Sequence, residues 1–123
     1  QIWFTCRQAE LLLGKLNDTP VKEFEVDTAS FADLKALVAE TISRIKAQAD
    51  TKESFAEAKT SLELPSMPTL SMTGQDYIDE WLTPNFYFHL VTAYDILRAK
   101  GLAIGKADYL SHLRPLLAAA MAS

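Results

Sequence analysis

Asn85 and His89 stand four residues apart in a long, largely apolar stretch, and this pair has the most chemistry to offer in the chain. Turning by about 100° per residue from His89, Asn85 falls near −40° and Ala93 near +40°, with Ile78, Leu82 and Ile96 within about 20° of the same line. Both polar groups therefore sit in an apolar stripe. A buried polar group without a partner costs about 1–3 kcal/mol. The pair must bond to each other or to a shared third group, fixing helix register, or else serve a ligand or a metal. An imidazole titrates near neutrality and can act as a general base. Asn85 and His89 are accordingly the candidate catalytic residues, and ligand-binding is assigned to His89, Asn85, Trp81 and Leu82 together.

A metal site is not expected. Zinc takes three or four His, Cys, Asp or Glu ligands, and Asn is a poor one. The other histidine, His112, lies beside Arg114 and Pro115 and reads as a solvated surface residue, while Cys6 reads as a small, buried apolar side chain. No cofactor is implied, and Trp3, Trp81 and Phe88 read as core aromatics rather than as supports for a cofactor ring.

These groups must be positioned by a small scaffold. A chain of 123 residues is long enough for one domain and too short for two, so residues 1–123 are read as a single domain with a C-terminal tail at 107–123. The balance of 49% hydrophobic and 23% charged residues excludes wholesale disorder. With 12 Lys+Arg against 16 Asp+Glu, the net charge of −4 argues against a nucleic-acid partner, since phosphate affinity comes largely from clustered cations. A single cysteine excludes an internal disulfide and fits a reducing compartment, so a cytoplasmic location is expected. No run approaches the roughly 20 apolar residues that span a bilayer, and no membrane partner is expected.

Residues 1 to 16 carry the three- and four-residue apolar steps of an amphipathic helix, with Ile2, Cys6, Ala9, Leu12, Leu13 and Leu16 on one side and Arg7, Glu10 and Lys15 turned elsewhere. No capping residue precedes Ile2, so the helix reads as the later part of a longer one. Ser30 and Asp33 form a capping-box-like start to a helix running to about Gln48, with Phe31, Leu34, Val38, Ile42 and Ile45 as its stripe. Thr60 to Leu64 and Thr69 to Thr73 alternate around Pro65 and Pro68 as a short β-hairpin. A long helix opens at Thr73 and Gly74, is kinked or broken at Pro84, and ends at Lys100 and Gly101. Asp108 begins a last short helix interrupted at Pro115. A second line on the long helix, Tyr87, Val91 and Tyr94 with Arg98, is either covered by the hairpin and loops or forms a subunit interface. A helix-turn-helix is excluded, because a hairpin separates the two long helices.

From Pro84 the chain reads PNFYFHLVTAYDILRAKGLAIGKADYL, which resembles the C-terminal signature of domain of unknown function nineteen ninety-three, of the DinB/YfiT-like superfamily. SFADLKALVAETI and TLSMTGQDYI sit where that family has its third helix and its hairpin. The resemblance implies a mainly α fold: an up-down, DinB-like four-helix bundle with a short hairpin before the last long helix. It also implies that the first bundle helix is missing from this chain and that the domain is N-terminally incomplete. Metal-binding members of the superfamily hold a metal with a His-x-x-x-His pair on the last helix and one histidine on the second. His89 matches the second histidine of the pair, Asn85 replaces the first, and the visible second helix has none, so the resemblance implies a degenerate metal site.

Two functions follow as expectations: a small-molecule pocket around Asn85 and His89 without a three-histidine metal site, or a structural or interaction protein acting as a homodimer. Whether any reaction is catalysed is left open.

Overall fold

The structure is a computed structural model and describes residues 1–48 and 53–122. Its elements are α1 (Ile2–Asn17), α2 (Phe31–Ala47), α3 (Glu53–Glu57), β1 (Lys59–Leu62), β2 (Leu70–Thr73), α4 (Gly74–Asp76), a π-helical segment (Tyr77–Leu82), α5 (Thr83–Ala99), α6 (Lys106–Tyr109), a 3-10 turn (Ser111–Leu113) and α7 (Arg114–Met121). The chain is mainly helical with one antiparallel two-stranded sheet, and it forms two compact units, Gln1–Ala93 and Tyr94–Ser123.

In the first unit, α1 ends where Asn17 Nδ2 donates to the Leu13 carbonyl at 2.8 Å and Asp18 turns to φ 50° and ψ 47°. Pro20, lacking an N–H, cannot continue it. α2 starts on the capping box foreseen in the sequence: the Ser30 hydroxyl accepts from the Asp33 N–H, and the Asp33 carboxylate accepts from the Ser30 N–H. The Ser30 hydroxyl also donates to the Asp33 carboxylate at 2.6 Å, and this bond first, then the one from the Ser30 N–H, holds the Asp33 carboxyl below its ordinary pKa. Trp3, Cys6 and Leu37, with Phe24 against them, form one buried cluster between α1 and α2. Beside it Glu10 is 3% exposed and is paired with Arg44, while the Thr41 hydroxyl donates to Glu10 Oε1 at 3.4 Å. This polar lock decides which face α2 turns inward. Leu37 and Thr41 are buried, whereas Phe31, Val38, Ile42 and Ile45 are exposed. The inward column is thus displaced from the stripe read in the sequence, because Arg44 and Thr41 must reach Glu10.

β1 and β2 pair from Lys59 with Thr73 to Leu62 with Leu70, one or two residues shorter at the loop end than the sequence suggests. A second capping box follows, in which the Thr73 hydroxyl accepts from the Asp76 N–H at 3.1 Å. Gly74 donates its N–H to the Ala58 carbonyl at 2.9 Å, and a Cβ there would meet the Phe55 carbonyl oxygen at 1.9 Å, so the approach of α4 to α3 requires glycine. The break expected at Pro84 takes the form of the π-helical segment just before it. Thr83 donates to the Ile78 carbonyl, five residues back. The wider turn absorbs the donor that Pro84 lacks and the clash its ring would make with the preceding turn. Tyr77, 1% exposed, forms the second buried cluster with Leu62 and Leu82, against Leu12, Phe55 and Trp81. Phe88, read as core, is 66% exposed, since its direction on α5 faces none of the packed elements of the unit. Tyr87 and Val91 are also exposed, and the hairpin does not cover them.

In the second unit, the end of α5 is closed by Gly101 at φ 88°: its N–H donates to the Arg98 carbonyl and the Leu102 N–H to the Leu97 carbonyl. Tyr94 packs edge-on against Tyr109. Pro115 does not interrupt a helix but sits in the first turn of α7, where a missing N–H costs nothing.

Two stability measurements check this account. Gly74→Ala is expected to lower the unfolding free energy by about 2–3 kcal/mol in urea titration, as overpacking against backbone does. Arg44→Met, which strands the Glu10 carboxylate, is expected to cost about 3 kcal/mol, and adding Glu10→Gln to it is expected to restore a large part of that.

Candidate functional site

Three elements of the first unit surround an open cleft of ≈ 520 Å³. α1 lends Phe4, Arg7, Gln8, Leu11 and Lys15, a face that winds along the helix at three- and four-residue steps. The hairpin side brings Ser61, Leu62 and Glu63. The long helix completes it with Tyr77, Trp81, Asn85 and His89, spaced four residues apart. In an unbroken α-helix twelve residues would carry the last of these about 120° from the first, but the π turn takes back about one residue, or 100°, and leaves them nearly aligned.

That slip also explains which of the expected residues meet. Asn85, His89 and Trp81 share the cleft; Leu82 is buried in the cluster with Tyr77 and Leu62 and does not line it. Asn85 and His89 take separate partners. Asn85 Nδ2 donates to the Trp81 carbonyl at 2.7 Å, occupying an acceptor at the π-to-α junction. His89 reaches α1, with Nδ1 2.7 Å from Gln1 Oε1 and its ring stacked on Phe4 at 5.0 Å. With the amide oxygen as acceptor, Nδ1 carries the proton and Nε2 is the basic nitrogen. Partial burial holds the imidazole below its ordinary pKa.

The α1 wall is the part that sequence reasoning missed. Lys15 Nζ donates to the Ser61 carbonyl at 2.7 Å and to Thr60 Oγ1 at 3.1 Å, and it sits 4.8 Å from the centre of the Tyr77 ring. Arg7 meets the exposed Glu23 at 3.5 Å and lies over Trp3. Gln8 is 5% exposed, and its Oε1 has no hydrogen-bond partner. The spacing of Phe4, Gln8, Leu11 and Lys15 carried the signal, but it mixes apolar and polar side chains and so resembles a solvated flank.

The donor set does not suit a metal. Among the described residues no three His, Cys, Asp or Glu side chains stand close enough to hold one, and the groups beside His89 are an amide oxygen and an aromatic ring. Cys6 lies elsewhere, on a nearly apolar groove of ≈ 310 Å³ lined by α1, α2 and α5. Burial there pushes its thiol pKa up, with the Glu10 charge adding and a hydrogen bond with Thr41 opposing. His112 is exposed in the second unit. No helix of the described residues is long and apolar enough to cross a membrane.

Comparison with known proteins agrees with this architecture. Residues 1–110 match the family described as Domain of unknown function (DUF1993). The fold is similar to the crystal structure of a DinB family member from Shewanella denitrificans, with a TM-score of 0.70 and 26% identity. That match covers 89% of this chain and 62% of the other, so the chain spans less than two thirds of the solved protein. No curated protein matches the chain.

His89 offers a direct test of the geometry. Its depressed pKa means that the unfolded chain takes up the proton first as pH falls. Stability is therefore complete above the unfolded value, near 6.5, and is lost as pH drops below it toward the folded pKa. NMR titration of the His89 ring is expected to give a midpoint below the ordinary imidazole value, and His89→Gln is expected to flatten the pH dependence in that window. A midpoint at or above the ordinary value would mean that burial does not govern the titration of the ring.

Proposed function

We propose that this chain, which belongs to the family of Domain of unknown function (DUF1993) and has the fold of a DinB family member, binds a small organic molecule in the cleft between α1, β1 and the long helix. The ligand lies against Trp81, Asn85 and His89, and no three-histidine metal site takes part. The observation that carries this reading is polar capacity left over on the cleft walls: the Gln8 Oε1 has no partner, and His89 uses one ring nitrogen on Gln1. A buried acceptor left unmatched costs about 1–3 kcal/mol, which a ligand donor would recover. The cleft volume of ≈ 520 Å³ is that of a pocket for a small organic molecule. His89 Nε2 is the group that would accept a proton or hydrogen bond from such a ligand; no reaction is assigned to it.

A second reading has its own observation. Tyr87, Phe88 and Val91 are exposed on α5 at 52%, 66% and 41%, a face suited to a homodimer built on aromatic anchors. Light scattering that gives a monomer at every concentration would remove it.

For the first reading, a library of small neutral and charged organic molecules is screened by NMR on the isotope-labelled chain. Hits are expected to move the Trp81 indole, the Asn85 amide and the His89 ring, and to be lost in His89→Ala. Hits that moved only Val38, Ile42 and Leu90, on the apolar groove, would overturn the assignment to the cleft.

A further inference from the structure

The walls of the cleft carry more information than its size. Lys15 is partly buried, its ammonium is held by a carbonyl, a hydroxyl and an aromatic face, and no carboxylate of the described residues forms an ion pair with it. An ammonium has three donors, and two are spent. Its charge is thus oriented by neutral groups and left without a counterion. Seven residues earlier on the same helix face, the orphaned Oε1 of Gln8 asks for a donor. The walls also carry the indole of Trp81, one turn from the Tyr77 ring that Lys15 covers, an apolar surface for a flat body. Counting the formal charges on the walls, Arg7 and Lys15 against Glu63 leave a net of one positive charge.

We infer that the ligand is an aromatic monocarboxylate that also carries a hydroxyl or amine donor, its carboxylate on Lys15, its donor on Gln8 Oε1 and its ring against Trp81. This rests on the cleft reading proposed above and narrows it to one chemical class. The two poles are separated by about 10 Å of helix rise, comparable to one substituted ring with a hydrogen bond at each end. Lys15 supplies a compact point charge already oriented by Ser61 and Thr60, so little side-chain entropy is lost when the carboxylate arrives. Glu63 on the rim disfavours multiply charged anions such as phosphate.

The test compares para-hydroxybenzoate with para-hydroxybenzamide, benzoate and inorganic phosphate on the wild-type chain, with Trp81 indole shifts as the readout. The hydroxybenzoate is expected to bind about tenfold tighter than its neutral amide, the difference that one charge-assisted hydrogen bond makes. Benzoate, lacking the donor, is expected to bind several-fold more weakly, and phosphate to leave the indole unmoved. Lys15→Met, which keeps an unbranched side chain over Tyr77, is expected to bring carboxylate and amide to equal affinity. Gln8→Leu is expected to erase the advantage of the hydroxyl. Equal binding of acid and amide to the wild type would overturn the monocarboxylate class while leaving the cleft in place as a site. If none of the four probes moves the indole, the inference falls, and the library screen decides separately whether the cleft binds anything.

Discussion

One short stretch of five-residue hydrogen bonding, Tyr77–Leu82, sets the phase on which the first unit depends. Before it, α4 is anchored by the Thr73 capping box and by the tight approach of Gly74 to Phe55; after it, Pro84 allows no ordinary α-helical continuation. The two constraints are reconciled only by a turn that holds an extra residue. Such turns are uncommon inside helices and recur at functional sites, where they re-aim a few side chains without ending the helix. Here the result is a ladder of Tyr77, Trp81, Asn85 and His89 on one wall.

The opposite wall obeys a different logic. α1 is buried on two sides, and it spends one of them on a charge. Glu10 is locked to Arg44 and Thr41 of α2, which fixes the rotation of α1 and thereby the direction in which Gln8, Leu11 and Lys15 point. With Glu10 buried and Arg44 open to solvent, the pair adds little net stability over a well-packed apolar pair, and its value lies in excluding other rotations of the two helices. The outcome is an asymmetric unit: a polar cleft on one side of α1 and an almost wholly apolar groove, floored by Cys6 and Ala9, on another.

Much of this was legible in the residues. Ser30 with Asp33 and Thr73 with Gly74 announce two helix starts, Gly101 announces the end of α5, and Pro65 and Pro68 locate the turn of the hairpin, because each acts through local backbone chemistry. His89 was recognisable as a polar group within a helical face. What stayed hidden was phase. A π turn leaves the apolar pattern of the sequence nearly unchanged while rotating everything before it, so Leu82 was aligned with His89 on paper and Trp81 takes that place in the fold. The face of α2 was hidden for a related reason: its orientation follows from one carboxylate on another helix, which no window along α2 contains.

The walls of the cleft are joined by contacts between residues far apart along the chain. His89 meets Gln1 across 88 positions and Lys15 meets Ser61 across 46, whereas the hairpin pairs residues 8 to 14 positions apart. Closing long loops carries an entropic cost that local pairings avoid, which places these clasps late in the order of assembly. Whatever occupies the cleft touches all three walls at once, and by binding only the closed arrangement it stabilises the joining of α1 to the hairpin and the long helix.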